Sequence, residues 1–331
     1  MSIKVSIIIK ALNEQINIER TLQSALAAVA AVGGEVILAD SGSTDRTVEI
    51  AKTFPVRIVQ LANPAEKSCG IGAQLGYQIA RGECIYILDA DMEISHEFLL
   101  QALLLIEQNE NLAAVGGMVQ EMQMGSLEFQ SRVLRDSADM QAGIVAHLAG
   151  GGLYRKSAIA EIGYLTNRNL HSYEEFELGV RLRAAGWKLM RLPLVSVKHY
   201  GHTMPANQLL KRRWSSRYAQ GVGELVRASI GKAHMPLLLK ELKELRLYIA
   251  VIFWWLSIVT LVFVLDPVST MVAAVVVMMV LPFVAMVLKK RSFALGIYAV
   301  VAWQYFSAGL ILGFLRKQTP PSQQIDSKVL S

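Results

Sequence analysis

The chain has 331 residues, a formal net charge of +6 and a hydrophobic fraction of 53%. Its two cysteines, Cys69 and Cys84, belong to no CxxC or Cys/His cluster, which argues against a disulfide framework or a zinc site. The densest basic clusters, residues 211–213 and 289–291, lie beside or between apolar stretches. Anionic lipid headgroups and the positive-inside bias explain that charge better than nucleic acid does.

Apolar runs alternate with helical patterns from the start of the chain. The runs that suit buried strands are residues 5–9, 35–39, 56–60, 84–88 and 113–119. The helical patterns between them are residues 14–31, 44–52, 72–80 and 97–108. This alternation predicts βαβ units and a mainly parallel sheet in an α/β domain. The first run lacks a cleavage-site pattern, so we interpret it as a strand of a cytoplasmic domain and not as a signal peptide.

The patterns after residue 120 are less regular. The glycine-rich residues 150–154 predict a flexible loop, and a helix is expected from about residue 174 to residue 185. Residues 195–199 suit a strand that ends in His199. At about residues 205–230, apolar positions alternate with arginines as in an amphipathic helix. We expect that helix to rest on a membrane surface, the alternative being that it packs on the soluble domain.

Three apolar stretches follow, at residues 247–265, 270–288 and 293–315. Each is about long enough to span a bilayer, for which roughly 20 apolar residues are needed. Basic residues precede the first and follow the second, which places both of these flanks on the cytoplasmic side. For the third stretch two interpretations remain open: that it crosses the membrane, or that it forms a re-entrant or interfacial segment. The predicted organisation is a soluble domain at residues 1–240, a transmembrane region at residues 241–318 and a polar tail at residues 319–331.

Polar side chains follow three of the predicted strands, at the sheet edge where parallel strands place ligand sites. Asp89 and Asp91 end the fourth strand, Asp40 ends the second, and Asn13 and Glu14 follow the first. Two carboxylates one residue apart can bind magnesium or manganese, which also grips phosphate oxygens. An acidic turn that caps the next helix explains Asp89 and Asp91 equally well when they are taken alone. Because acids from several loops would repel each other, a cation is the natural partner of the whole set.

These motifs resemble the family 2 glycosyltransferases, and the likeness covers residues 1 to about 227. Residues 5–9 with Asn13 and Glu14 resemble the family's opening strand and nucleotide-contacting loop. Residues 40–45 are similar to its second motif, which implies that Asp40 recognises the base. Residues 87–91 look like the DxD signature, which implies that Asp89 points toward the ribose or metal shell and that Asp91 is a metal ligand.

The later motifs extend the resemblance. Residues 174–178 resemble the acidic catalytic helix, whose second acid is the base; this implies Glu175, with Glu174 and Glu177 left open. His199 matches a late histidine that completes the metal or diphosphate site. Arg213 and Trp214 resemble a basic-aromatic motif of processive synthases and imply diphosphate or acceptor contacts.

The chain also departs from the family pattern at three positions. Lys10 stands where the family often has proline, and Glu175 stands where aspartate is more frequent. Leu210 replaces the glutamine of the processive motif, so processive synthesis is not predicted.

The resemblance implies a GT-A fold, that is, a Rossmann-like nucleotide-diphospho-sugar transferase domain, followed by an α-helical transmembrane region. It also implies a Mg²⁺ or Mn²⁺ cofactor and an inverting transfer of a hexosyl group from a nucleotide sugar, above all a UDP-sugar. The acceptor would be a hydroxyl of a lipid-linked or membrane-associated molecule in envelope polysaccharide or glycolipid synthesis. The location would be the inner cell membrane, multi-pass, with a cytoplasmic catalytic domain. The alternatives are a processive polysaccharide synthase and a catalytically inactive membrane scaffold.

Overall fold

A computed structural model of the protein describes residues 3–122, 141–201 and 204–330. The chain forms two compact units. The sheet unit comprises residues 1–203 and 318–331, and the helical unit comprises residues 204–317. The sequence predicts a soluble domain that ends at residue 240. In the structure, residues 204–240 belong to the same compact unit as the apolar helices.

One mixed sheet organises the sheet unit. Its strands among the described residues are β1 Val5–Ala11, β2 Gly34–Asp40, β3 Arg57–Leu61, β4 Cys84–Asp89, β5 Met92–Ile94, β6 Leu112–Glu121, β7 Gly143–Ile144, β8 Gly152–Arg155, β9 Lys188–His199 and β10 Ser327–Val329. Along the sheet the order is β10-β3-β2-β1-β4-β8-β6-β9-β5, with β7 paired to β9. Strands β1 to β4 are parallel, and β8 lies antiparallel between β4 and β6.

The helices of the sheet unit cover both faces of this sheet. Those among the described residues are α1 Ile18–Val32, α2 Thr47–Ala51, α3 Cys69–Tyr77, α4 His96–Gln108, α5 Lys156–Glu161 and α6 Glu174–Ala184. Successive side chains of a strand point to opposite faces. Ile7 and Ile9 therefore join the core cluster with α1 and α4. Ile8 joins the other cluster, with α3, α5 and α6.

The predicted strands and helices of the first 120 residues are all present, with shifted ends. Helix α3 begins at Cys69 and not at residue 72, because the Ser68 hydroxyl accepts a hydrogen bond from the Ile71 N–H and caps it. The predicted flexible loop at residues 150–154 is wrong in its second half. There, Gly152–Arg155 forms β8, which is buried between two strands at the centre of the sheet.

The C-terminal tail is part of the sheet unit. Strand β10 pairs antiparallel with β3, and Ile325 just before it is fully buried. The Gln78 side chain fixes Ile325 from both sides, because its amide donates to the Ile325 carbonyl and accepts from the Ile325 N–H. A segment that looks polar by composition thus extends the sheet and covers its edge.

The helical unit contains six helices: α7 Ala206–Ser215, α8 Gly221–Ser229, α9 Met235–Glu241, α10 Lys243–Val264, α11 Val268–Lys290 and α12 Phe293–Leu315. The last three are long and apolar enough to cross a membrane. The predicted amphipathic helix at residues 205–230 is broken in two, since Arg217 has a left-handed backbone with φ 64°.

Packing of the tail leads to a prediction for Ile325→Ala in the full chain. Removing a fully buried isoleucine side chain leaves a cavity, and we expect the free energy of unfolding of the sheet unit to fall by about 2–5 kcal/mol. Thermal unfolding in detergent measures the loss. The matched control is Val329→Ala in the same tail, where the side chain is 59% exposed and little change is expected. Equal effects of the two substitutions would contradict a buried tail.

Candidate active site

The carboxyl ends of three adjacent parallel strands bring the predicted acids together. The register of β1 pairs Ala11 with Asp40 of β2 and Lys10 with Asp89 of β4. Asp40 and Asp89 therefore flank the end of β1, two strand spacings or roughly 10 Å apart along the sheet. This is the edge at which open α/β sheets bind their ligands.

Asp40 is fully buried and organises the loop that follows it. Its carboxylate accepts hydrogen bonds from the N–H groups of Gly42 and Ser43 at 3.1 Å and from the Gln60 amide at 2.8 Å. Gly42 has φ 94°, which lets the chain turn back over the carboxylate. Asp40 thus shapes the loop, and its predicted contact with a base stays a prediction.

Asn13 and Glu14 tie the first loop to the second. The Asn13 side chain accepts a hydrogen bond from the Thr44 N–H at 2.8 Å, and the Asn13 N–H donates to the Ser43 hydroxyl at 2.8 Å. The Glu14 N–H donates to the Thr47 hydroxyl at 2.8 Å. Asn13 has φ 59°, a conformation that asparagine tolerates better than most residues. The two predicted nucleotide loops therefore form one connected surface.

Lys10 lies between two acids at the centre of the edge. Its ammonium is 2.9 Å from Asp89 Oδ1 and 3.4 Å from Glu174 Oε1. Burial disfavours the charged ammonium, but the carboxylates of Asp89, Glu174 and Glu175 outweigh burial and hold the pKa of Lys10 well above its usual value. A fixed positive charge thus joins β1, β4 and the start of α6.

Glu175 lies in the first turn of α6 and accepts a hydrogen bond from the Gly151 N–H at 3.3 Å. Gly151 has φ 90°, and a Cβ there would lie 2.4 Å from the Ile87 carbonyl oxygen, so only glycine fits. Burial raises the pKa of Glu175 to about 7, against the opposing attraction of Lys10. This carboxyl group can take up or release a proton near neutral pH.

The three glutamates of α6 have different environments. Glu177 is buried in an ion pair with Arg181 at 2.8 Å and accepts a hydrogen bond from the Tyr164 hydroxyl at 2.7 Å. Glu174 is paired with Lys10. Glu175 has no such ion-pair partner at hydrogen-bond distance among the contacts described above, and its role as the base stays a prediction.

Asp91 and His199 meet where β5 pairs with the end of β9. The His199 Nε2 atom lies 3.3 Å from Asp91 Oδ2, and its Nδ1 atom lies 2.7 Å from Glu121 Oε2. Burial alone would lower the pKa of His199, but the two carboxylates raise it to about 10. Glu121, at the end of β6, fixes the orientation of the imidazole ring, as a carboxylate commonly does for a metal-binding histidine.

The donor atoms here suit a cation that shares its coordination sphere with a ligand. Among the described residues, no group of three or more His, Cys, Asp or Glu side chains could hold a metal ion. Magnesium typically binds one or two carboxylates and completes its sphere with substrate phosphates and water, and an all-protein cage is not needed. Asp91 Oδ2 and His199 Nε2 lie 3.3 Å apart, and the pair fits one side of such a site when the cation displaces the Nε2 proton of the imidazolium.

Two of the predicted contact residues lie in the helical unit. Arg213 lies over the Tyr218 ring at 5.1 Å, and Trp214 packs edge-on against Tyr305 at 5.6 Å. Both side chains therefore contribute to packing within that unit. Their diphosphate or acceptor contacts stay a prediction.

Sequence reasoning missed three contributors to this edge. Lys10 appeared only as a departure from the family pattern, although it connects the two acidic loops. Glu121 was missed because β6 was predicted to end at residue 119, two residues too early. Parallel strands place ligand sites at their carboxyl ends, and applying that rule to β6 as well as to β1, β2 and β4 would have found Glu121. The Gly151 N–H has no side chain, so only the fold reveals it.

Comparison with known proteins finds a family match over part of the chain. Residues 6–161 match the model described as glycosyl transferase family 2. A curated relative is the dolichol-phosphate mannosyltransferase of Pyrococcus furiosus, 24% identical over 141 residues that cover 41% of this chain and 40% of the relative. The chain thus spans about two fifths of the length of that relative.

Solved structures show the same fold at low identity. Mannosyltransferase PcManGT from Pyrobaculum calidifontis, in complex with GDP-Man and Mn²⁺, superposes with a TM-score of 0.58 at 18% identity and covers 95% of this chain and 86% of its own. A second structure is glucosyl-3-phosphoglycerate synthase from Mycobacterium tuberculosis, in complex with Mn²⁺, UDP and phosphoglyceric acid. It superposes with a TM-score of 0.51 at 19% identity, and the match covers 69% of this chain and 78% of the synthase.

The sheet unit is therefore a GT-A-like α/β domain, and apolar helices follow it in the chain. The match over residues 6–161 confirms the resemblance to the family 2 glycosyltransferases that the motifs predicted.

The raised pKa of Glu175 leads to a prediction about stability. The folded state holds a proton on Glu175 up to a pH of about 7, whereas a free glutamate releases it near 4.5. Glu175 therefore lowers the free energy of unfolding as the pH rises between these values. At pH 8 we expect Glu175→Gln to be more stable than the wild type by on the order of 2 kcal/mol. At pH 4.5 the difference should be small.

Glu177→Gln is the matched control, two residues along the same helix. It leaves the buried Arg181 without its ion-pair partner, so it should be destabilised at both pH values. Thermal unfolding of the three proteins at pH 4.5 and pH 8 gives the comparison. A loss of stability in Glu175→Gln at pH 8 would show that its carboxylate is well solvated or paired.

Proposed function

We propose that the protein is an inverting glycosyltransferase that moves a hexosyl group from a nucleotide diphosphate sugar to a hydroxyl of a lipid-linked or membrane-associated acceptor. The observation that carries the proposal is the acidic edge at the ends of β1, β2 and β4. There, Glu175 lies beside the Lys10–Asp89 pair, and Asp91 faces His199. The family match over residues 6–161 supports the same activity.

The proposed donor lies over the connected loops after β1 and β2. Asn13, Glu14 and Asp40 would contact the nucleotide, and Asp89 would lie toward the ribose. Similar proteins were solved with UDP or with GDP-Man. We take a UDP-sugar as the first candidate for the donor. GDP-mannose is the second candidate, because a solved structure whose match covers 95% of this chain contains GDP-Man.

Asp91 and His199 are the residues proposed to hold Mg²⁺ or Mn²⁺. When bound, the cation would offset the negative charge that develops on the leaving diphosphate. Glu121 keeps the His199 ring in one orientation, and Asp91 supplies the carboxylate oxygen. Similar proteins solved with Mn²⁺ support manganese as one of these metals.

Glu175 is the proposed general base. Its carboxylate accepts the proton of the acceptor hydroxyl as that oxygen forms a bond to the anomeric carbon of the sugar. The bond from that carbon to the diphosphate breaks with the electron pair leaving on the diphosphate oxygen. Because attack and departure occur on opposite faces, the anomeric configuration inverts. Lys10 pairs with Glu174, the residue before the proposed base, and supplies a fixed positive charge nearby.

The proposed location is a multi-pass inner membrane protein with a cytoplasmic sheet unit, and the proposed role is in envelope polysaccharide or glycolipid synthesis. The three apolar helices support membrane association. Basic residues at the start of α10 and at the end of α11 support the cytoplasmic orientation. The dolichol-phosphate mannosyltransferase relative supports a lipid-linked acceptor.

Metal-dependent donor binding tests the proposal. We expect one nucleotide sugar from a panel of UDP- and GDP-sugars to raise the unfolding temperature of the full chain in detergent only when Mn²⁺ or Mg²⁺ is present. Asp91→Asn should abolish that increase and lower transfer by at least about 100-fold, the usual range for a group that stabilises developing charge. The control Glu49→Gln makes the same charge change in an exposed ion pair with Arg46. Metal-independent transfer, or wild-type behaviour of Asp91→Asn, would refute the metal role.

The pKa of Glu175 predicts the pH dependence of transfer. Only the carboxylate form can accept a proton, so kcat/KM should fall about tenfold per pH unit below pH 7. The charge of Lys10 lowers the pKa of Glu175. Lys10→Met should therefore move the acid side of the kcat/KM profile to higher pH, whereas Lys10→Arg, which keeps the charge, should leave it near the wild-type pH. A limb near pH 4.5 in the wild type would exclude Glu175 as the base.

A further inference from the structure

The chain leaves the sheet unit and returns to the same unit. It exits after residue 203 and re-enters at residue 318. The returning segment is firmly part of the fold, because β10 pairs with β3 and Ile325 is fully buried. One folded unit lies on one side of a bilayer, so residues 204 and 317 lie on the same side.

This connection limits how many times the intervening chain can cross a membrane. Residues 204–317 are all described, and three helices among them are long and apolar enough to cross. A segment that starts and ends on one side makes an even number of crossings, so the three cannot all cross. We propose that α10 and α11 cross the bilayer as a hairpin, and that α12 returns to the side it started from and lies in the near leaflet. The proposal rests on the membrane association proposed above.

Contacts inside the helical unit identify α12 as the helix that does not cross. Beta carbons added at Gly309 and Gly313 would lie 2.1 Å from the carbonyl oxygens of Ala219 and Gln220, so the end of α12 packs directly on the start of α8. Helices α7 and α8 have 10 and 9 residues and are too short to span. The segment around α8 therefore lies on the side of the sheet unit, and so does the end of α12.

The beginning and middle of α12 contact the near ends of the other two helices. Gly296 packs against Val287 in the last turn of α11, and Phe306 stacks at 5.7 Å on Tyr248 in the second turn of α10. A helix that crossed beside α10 and α11 would also be expected to meet the turn near Asp266 that joins them. The indole N–H of Trp255, in the middle of α10 and well before that turn, donates to Gln304 of α12 at 2.6 Å.

The charges near the helix ends agree with this assignment. If α11 and α12 crossed in place of α10 and α11, Lys289, Lys290 and Arg291 would lie on the far side, against the positive-inside bias. An ion pair at 3.2 Å between Arg316 and the fully buried Glu224 joins the end of α12 to α8. Such a pair suits the polar interface of a bilayer better than its hydrocarbon core.

The partner of α12 is then a lipid surface. At 23 residues, α12 is about 34 Å long, enough to lie along or dip into one leaflet. Its exposed apolar side chains, Phe293, Ile311, Leu312 and Leu315, would enter the acyl chains. Trp303 and Tyr305 are of the types enriched at the headgroup level. The glycine stripe faces protein, so the two sides of the helix have different partners.

Cysteine labelling of the full chain in membrane vesicles tests the arrangement. The two native cysteines are replaced by Cys69→Ser and Cys84→Ala, and single substitutions Asp266→Cys, Lys290→Cys and Lys317→Cys report on exposed positions. A membrane-impermeant maleimide is added to right-side-out and to inverted vesicles. We expect Lys290→Cys and Lys317→Cys to react in one vesicle type and Asp266→Cys to react in the other. Labelling in detergent confirms that each thiol is reactive.

Each other pattern overturns the proposal. If the maleimide labels Lys317→Cys in the same vesicle type as Asp266→Cys, and labels Lys290→Cys in the other type, α12 crosses the bilayer. If all three react in the same vesicles, no helix crosses and the unit lies on the surface. Donor binding by thermal stabilisation is measured on the same variants. Loss of donor binding with the expected labelling would count against the glycosyltransferase and leave the topology intact, so the two failures are distinguishable.

Discussion

Like charges at one sheet edge repel each other, and the sheet unit depends on how that repulsion is offset. Lys10 lies between Asp89 and Glu174, and His199 lies between Asp91 and Glu121. The negative charge of Asp40 is offset differently, by hydrogen bonds from two backbone N–H groups and from the Gln60 amide. Each strand end thus has its own neutralising partner. Glu175 is buried beside this set, and burial, with the nearby carboxylates of Glu174 and Asp89, raises the pKa of its carboxyl group against the attraction of Lys10.

The groups that offset the charge also set the geometry of the edge. Lys10 can reach both acids because its stem passes over Gly72, where a β-carbon would lie 3.2 Å from the Lys10 Cβ and Cγ atoms. Gly151 likewise allows its backbone to approach both Ile87 and Glu175. A small residue at each point lets a charged side chain lie close to the backbone. Electrostatics and close packing therefore constrain the same few positions.

Local patterns predicted the parts of this protein that depend on local physics. Buried parallel strands need apolar runs, so β1 to β4 could be located, and the rule for parallel strand ends located Asp40, Asp89 and Asp91. Strand β8 was taken for a loop because its glycine Gly152 is favoured by close neighbours and not by strand propensity. The burial of Ile325 depends on Gln78, which is 247 positions away in the sequence. Contacts of that kind leave no periodic signal in either segment.

The tail connects the exit from the apolar helices to the segment that leads into α6. Asn169 and Thr319 exchange two hydrogen bonds of 2.8 Å, and Arg168 donates to the carbonyls of Gln323 and Gln324. The same segment packs on α3, where the Gly70 N–H donates to Leu170. Glu174 and Glu175 follow only a few residues later, so the backbone that aims the proposed base is fixed in part by residues that directly follow α12.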